Sequence, residues 1–445
     1  MINETISRTI DAIPIYREGP DDLSSSKAFQ NDPMHFHVRA YRKCGPIYRT
    51  WFRDRMWVTL AGLDANEFVW RNSKLWSYGT ANAPFHEEMG LDHVTALDGK
   101  EHLAKRAILK PAVNQGPATR YLPQFLEILR RDLKEQSEKD EPMELMTYWA
   151  EVIIWIATHT HVRAKIPKEE VPRLARWEYQ MLRGLFLDDQ RHSYVERQEY
   201  KELKANAYKW MGMIVDERLN APDKHDDNFT GVIEARAKKI GELDRDNLMN
   251  DLYLIWLAGS DNTANLINWA LLFTYQNPEW LEELRVELDA WDGKDVMAMA
   301  KMPRLKATIM EANRIRPGQF ALTKHAGEAF EFGGYSIPAG TDVMHAHVLA
   351  HFMEEFYPEP FEFKPSRFLE TGKYIPKTEG TFGGGTHICL GRNFSLFQGT
   401  LIVAHVLREY DVLYEKKPSF EVRVTYTGGR HEEKIIAHLE PRKRP

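Results

Sequence analysis

Through most of this chain apolar positions recur every three to four residues, and only in short stretches every two. The first spacing turns one face of a helix to a core; the second belongs to half-buried strands. Helices are predicted over 33–43, ended by Gly45-Pro46, and over about 64–70, 119–136, 144–159, 171–187, 197–219, 306–316 and 391–410. Strands are predicted over 46–52 and 55–60, joined through Arg53-Asp54 as a hairpin, at Gly334 to Thr341, and as hairpins within 411–439. The longest helical pattern runs from Asp244, an N-cap residue type, to Asn277, just before Pro278. At 1.5 Å per residue it would span about 50 Å. Its middle, Leu252 to Leu257, is apolar on every face, which predicts a helix buried all round. Between the helices, 76–94 is aromatic and broken by Gly and Pro, and 187–193 interrupts two amphipathic helices as a lid would.

The elements predict a mainly α protein with a small β region, one large domain over 1–445. A short polar segment at about 1–20 and a basic tail at about 440–445 flank it. Composition changes this picture little: 43% apolar and 28% charged residues suit a globular chain. The balance of 59 basic against 65 acidic residues, net −6, argues against nucleic-acid or anionic-membrane binding. Two cysteines, Cys44 and Cys389, are the usage of a reducing compartment. The N-terminus lacks an apolar core segment and no run of about 18 apolar residues occurs, so a cytoplasmic protein without a membrane anchor is expected.

Candidate chemistry concentrates between Phe382 and Gly391, where three glycines precede His387, Cys389 and the start of a helix. Successive glycines are kept where side chains would clash or φ must be positive, so something large and flat is expected against this backbone. A cysteine at a helix N-terminus faces orphan N–H groups and the positive end of the dipole, which favour thiolate. Such a sulfur is a metal ligand or a nucleophile with His387 as base; an inert buried cysteine beside a turn is the plainer alternative. A second concentration, Ala258-Gly259-Ser260-Asp261-Asn262-Thr263, sets polar groups into the buried helix, where each needs a partner or water. Glu311 and Arg314, and likewise His102 and Arg106, are spaced to share one helix face. His345, His347 and His351 invite a zinc reading, but the first two alternate and the third lies further on.

The spacing Phe382, Gly385, His387, Cys389, Gly391 resembles the haem-binding loop of the cytochrome P450 superfamily, soluble bacterial type. The resemblance implies that Cys389 is the thiolate ligand of iron in haem b, with Phe382, His387 and Gly391 shaping its loop. His102, Arg106 and Lys324 fall where propionate-binding residues are expected. The block at 258–263 is similar to the oxygen-binding helix: Gly259 leaves room over the iron, and Asp261, Asn262 and Thr263 handle protons. Glu311 and Arg314, with Arg367 in Pro365-Ser366-Arg367-Phe368, resemble the family's structural triad. Departures are Asn262 where threonine is usual, Lys324 in place of arginine, and His351-Phe352-Met353.

The resemblance thus implies a haem-thiolate monooxygenase that oxidises a small to medium apolar organic molecule with O2. Its electrons would come from a separate ferredoxin and ferredoxin reductase, docking near Lys105, Lys110 and Arg392 on a monomer. Phe85, Leu185, Leu254, Leu257 and Phe320 are candidate pocket walls. A haem-thiolate sensor without turnover is the rival, and would not need Asp261. A peroxide-driven enzyme is another, but its relatives carry an arginine in the central helix and none lies between Asp246 and Asn277.

Overall fold

The structure is a computed structural model and describes residues 8–52, 55–113, 120–185, 191–221, 225–241, 243–420, 422–424, 429–431 and 433–443. Strand β1 (Ile15–Tyr16) is followed by helices α1 (Asp22–Asn31) and α2 (Pro33–Cys44), whose first turns are capped by Asp21 and Asp32 accepting from Ser24 and His35 N–H groups. Strands β2 (Ile47–Phe52) and β3 (Arg55–Ala61) pair antiparallel from Ile47 opposite Leu60 to Phe52 opposite Arg55. The predicted turn between them, 53–54, lies outside the described residues. After α3 (Leu63–Arg71) the aromatic stretch expected to be a loop winds into two short helices, α4 (Tyr78–Ala81) and α5 (Ala83–Met89). Ser77 caps α4 and Pro84 starts α5, so the residues that punctuate the pattern initiate helices.

The helical body consists of α6 (Gly99–Leu109), α7 (Leu122–Lys139), α8 (Leu145–Thr160), α9 (Val171–Leu185), α10 (Arg191–Val195), α11 (Gln198–Asn220), α12 (Asn228–Lys239), α13 (Arg245–Trp256), α14 (Ser260–Tyr275), α15 (Pro278–Asp289), α16 (Val296–Met299), α17 (Pro303–Ile315) and α18 (Arg392–Glu409). The expected lid at 187–193 falls largely outside the described residues. Among the later strands, β4 (Leu322–His325) and β5 (Asp342–Ala346) complete a sheet of order β1-β2-β3-β5-β4, in which β3 and β5 run parallel. Aromatic residues Phe29, Phe36, Tyr48, Phe320 and Phe352 pack beneath it as a second core, separate from the large helical one.

The predicted 50 Å helix is broken, which corrects the sequence reading. Asp244 does cap its start, accepting from Asn247 N at 2.9 Å. At Leu257 to Gly259, however, the winding changes: Ala258 N reaches back five residues to Tyr253 O at 3.1 Å, and Ser260 N only three, to Leu257 O at 2.9 Å. One over-wide and one tight turn in succession make a kink. Beyond it α14 is buried from Thr263 to Thr274 and packs against α8, α17 and α18, so the kinked turn stands at the centre of the molecule.

Candidate active site

The glycine-rich loop closes on itself where Cys389 N donates to Phe382 O at 3.0 Å. Gly383 and Gly385 have φ of 69° and 63°, a region that side chains strain to adopt. The large flat object against the loop is part of the protein. A Cβ on Gly384 would lie 2.4 Å from the Trp70 indole, and one on Gly385 would lie 2.6 Å from the Trp70 carbonyl oxygen. Trp70, near the end of α3, therefore moulds the loop. Gly391, by contrast, has open space beside it.

Cys389 is exposed, yet the protein around it raises its thiol pKa by desolvation. A side chain both reachable and surrounded lines an internal space. The Gly391 and Arg392 N–H groups donate to the sulfur and, with Arg106, pull the other way, but burial wins. The expectation that the helix terminus by itself favours thiolate is thus corrected; a bound cation would reverse the balance.

On one flank of the loop, basic groups collect. His387 is sandwiched between Tyr78, at 3.4 Å and 7°, and His102, at 3.6 Å and 5°. Lys324 sits over the other side of this stack, its Nζ 4.5 Å from the Tyr78 ring centre. Arg106 donates to Ile388 O at 2.7 Å and so holds the residue next to Cys389. Burial alone pulls Lys324 down to about 8, and burial before any charge lowers His102 to about 4 and His387 to about 3. A buried lysine whose shift no carboxylate offsets is ready for an anion.

The kinked helix carries a second set of partly exposed positions. From Leu248 to Thr274 nearly every residue is buried, but Leu254, Ala258, Gly259 and Asn262 retain surface. Residues 254, 258 and 262 are one helical turn apart, so they make a strip, and Gly259 adds open space to it. Asn262 also packs on the Gly318 backbone, whose added Cβ would meet Asn262 Oδ1 at 2.9 Å. Asp261 is 3% exposed and lies on the strip's flank, while Thr263 turns to α18 and shares a 2.9 Å hydrogen bond with Ser395.

Other sequence candidates have different positions. Leu257 and Phe320 are buried in the two cores rather than on the strip, and the Leu185 side chain lies outside the described residues. Phe85 stacks on His93 at 4.8 Å. Lys105 is no docking residue: it is buried and joined to Asp92 and to Asp251 at 2.5 Å, with Arg236 3.0 Å from Asp251. Away from the strip, Glu311 Oε2 accepts from Arg314 Nε at 2.8 Å and its Oε1 from Arg367 Nε at 3.0 Å. Arg314 also donates to His351 O and Pro360 O at 2.6 and 2.7 Å, which ties the segment leading to the cysteine loop. His345 and His347 are buried, His345 bonding Asn66 at 2.7 Å, and no cluster of three or more His, Cys, Asp or Glu side chains among the described residues is arranged to hold a metal ion.

Tyr78 and Trp70 were not singled out for these contacts because each lies some 300 residues from the loop it supports. The only sequence signal for either is aromatic enrichment.

These features supply one soft sulfur donor, a set of bases short of acids, and two glycines, Gly259 and Gly391, with open space beside them. They fit an iron porphyrin with anionic propionates. The Cytochrome P450 family model matches residues 25–428, and the chain belongs to that family. It is a haem-thiolate monooxygenase, working with haem, an organic substrate, O2 and redox partners. A sterol 14alpha-demethylase of Mycolicibacterium vanbaalenii is 24% identical over 92% of this chain and 93% of its own length. A taxane 10-beta-hydroxylase of Taxus cuspidata is 22% identical over 88% and 81%. The fold is that of the retinoic acid-bound cyanobacterial CYP120A1, with TM-score 0.82 and 21% identity over 97% of this chain and 99% of that one. No helix among the described residues is long and apolar enough to cross a membrane.

Proposed function

We propose that the single domain over 1–445 oxidises a small to medium apolar organic substrate, with Cys389 as the protein ligand to iron. The supporting observation is the Cys389 thiol, reachable yet desolvated by the protein around it, in a chain whose buried helix keeps a partly exposed strip at Leu254, Ala258 and Asn262. Bound there, haem supplies the oxygen chemistry, and a thiolate ligand favours O–O cleavage. The protein does the rest. His102, Arg106 and Lys324 would hold the propionates; His387, locked between two rings, and Phe382 keep the loop in register; Gly391 and Gly259 would leave room for the ring and for a ligand. Leu254 and Ala258 give the substrate an apolar wall, and enclosure keeps bulk water from the reacting atoms. Asp261 moves protons toward the oxygen side. Asn262 donates a hydrogen bond there, since an amide donates well but carries protons poorly. Thr263 joins this turn to α18, and Glu311, Arg314 and Arg367 fix the segment before the loop.

Electrons come from a ferredoxin and its reductase. Lys110, which is exposed, and Arg392, paired with Glu379, offer the docking charge; Lys105 is excluded by its burial. Cys389→Ser is expected to abolish the strongly red-shifted Soret band of the reduced, CO-bound protein, while Cys44→Ser leaves it in place. An unaltered band in Cys389→Ser would overturn the ligand assignment. Spectral titration with a panel of apolar ligands, including the retinoic acid held by the structural neighbour, then finds the substrate class.

A further inference from the structure

A second buried acid meets the kinked turn. Glu178, on α9 and 1% exposed, accepts a hydrogen bond from the Ser260 hydroxyl, itself 1% exposed and next to Asp261 in the chain. A carboxyl in such a place is costly unless it has work to do, because an apolar residue would pack there with no desolvation penalty. Tyr253, one turn before the kink, packs on Trp177 at 5.8 Å and on His93 at 5.9 Å. Its hydroxyl is held well above the ordinary value by burial and then by the charges of Glu178, Tyr200, Tyr208 and Glu88. The outer acid, Glu88 on α5, takes hydrogen bonds from Tyr200 and, through its carbonyl, from Tyr208 at 2.7 Å. It also pairs at 3.1 Å with Lys204, whose side chain is 31% exposed. Two hydrogen-bonded acids thus stand either side of α13, Glu88 tied to the surface of α11 and Glu178 to the first residue of α14, and both act on Tyr253.

The usual hydroxyl beside the acid is missing here. Position 262 carries an amide, and the Thr263 hydroxyl is engaged with Ser395 on α18. The hydroxyl of this turn that meets an acid is Ser260, across helices rather than along one. We propose that Glu178 and Ser260 form the proton relay that reloads Asp261, with Tyr253 and Glu88 on its entry side. In each cycle Glu178 passes a proton through the Ser260 hydroxyl and is itself reprotonated from the Glu88 side, so no net charge stays buried. This rests on the proposed role of Asp261.

The test uses the haem-loaded chain without added substrate, reduced through a surrogate ferredoxin pair, and follows oxygen consumption in H2O and D2O. Glu178→Gln and Ser260→Ala are each expected to slow it by about tenfold and to raise the solvent isotope effect, with Ser260→Thr restoring both. Amide exchange over 257–263 in the haem-free protein should stay within about twofold of the parent, since a relay bond is not what holds the helix. Parental rate and isotope effect in both variants, with Asp261→Asn slowed, would overturn the relay and leave Asp261 standing. Slowing accompanied by exchange more than about tenfold faster, with no rescue by Ser260→Thr, would make the contact a helix clamp and also overturn it. Parental behaviour of Asp261→Asn would remove the role of Asp261, and the relay with it.

Discussion

The glycines of the Phe382 to Gly391 loop answer to different physical demands at the residue scale. Gly385 combines a positive φ with a Trp70 carbonyl oxygen 2.6 Å from where a Cβ would sit. Gly391 has φ of −85° and nothing within 4 Å of that position. Gly385→Ala is therefore expected to destabilise even the haem-free protein by about 2 kcal/mol or more, from left-handed strain plus the clash. Gly391→Ala should leave haem-free stability within about 1 kcal/mol and weaken haem retention, because the added methyl enters space the cofactor needs. Denaturant midpoints of the haem-free proteins, with haem content measured separately, decide this; equal midpoints for the two variants would contradict it. The same comparison applies to Asp261 and Asn262, adjacent in sequence and set differently in space. Asp261→Asn is expected to slow turnover more than tenfold, a barrier increase above about 1.4 kcal/mol. Asn262→Ala should chiefly divert electrons to hydrogen peroxide, and full coupling in it together with parental turnover of Asp261→Asn would exclude both roles.

Secondary structure was largely legible at the element scale, because amphipathic periodicity survives wherever a helix has a wet face. The pattern placed α2, α8, α11 and α18 within about two residues of their bounds. It failed where that contrast vanishes. Leu252 to Leu257 is apolar on every side, so nothing in the pattern marks the kink that follows, and only Gly259 hints at it. Helix α1, Asp-Leu-Ser-Ser-Ser at its start, is polar enough to hide among loops. The site divides the same way. The cysteine loop and the 258–263 block are contiguous and readable, whereas Glu178, Tyr78 and Trp70 reach the site only through tertiary packing. The Glu311 network is intermediate: the spacing to Arg314 is local, but Arg367 arrives from 56 residues away. Glu311 also accepts from Lys364 N at 2.9 Å, so one carboxylate joins α17 to two points of the later segment. Glu311→Ala strands Arg314 in full burial and is expected to cost about 3–5 kcal/mol. A haem-replete variant that unfolds at the parental urea concentration would show that the network contributes nothing to stability.

The whole molecule is sensitive to acid because so many of its histidines are held neutral. His37, His345, His347 and His351 lie buried under the mixed sheet and its neighbouring turns. Burial brings His37, His347 and His351 down to about 3, and His345 well below its ordinary value; His347 adds to the shifts of His37 and His345, Lys324 to that of His347 and Arg314 to that of His351. In the unfolded chain these rings titrate near 6.5. Between that value and about 3 the unfolded state therefore binds protons that the native state refuses, and stability falls as pH falls. Each ring contributes a slope of about 1.4 kcal/mol per pH unit, so the four together give about 5–6 kcal/mol per unit around pH 5. Two acids work against them, Asp251, raised by burial, and Glu151. Glu151, raised to about 7 by burial and then by Asp132 and Glu144, holds a proton in the native state that the unfolded state has lost above about 4.5, which offsets one histidine. The net expectation is a cooperative loss of folding within about two pH units below 6.5. His37→Gln keeps a partner for the Tyr48 hydroxyl, which His37 meets at 2.5 Å, and removes one titrating ring. It should lower the slope of unfolding free energy against pH by about 1.4 kcal/mol per unit. Urea unfolding of the haem-free protein at pH steps from 7.5 to 5 measures both slopes, and a flat parental profile over that range would show that these histidines are not held neutral by the fold.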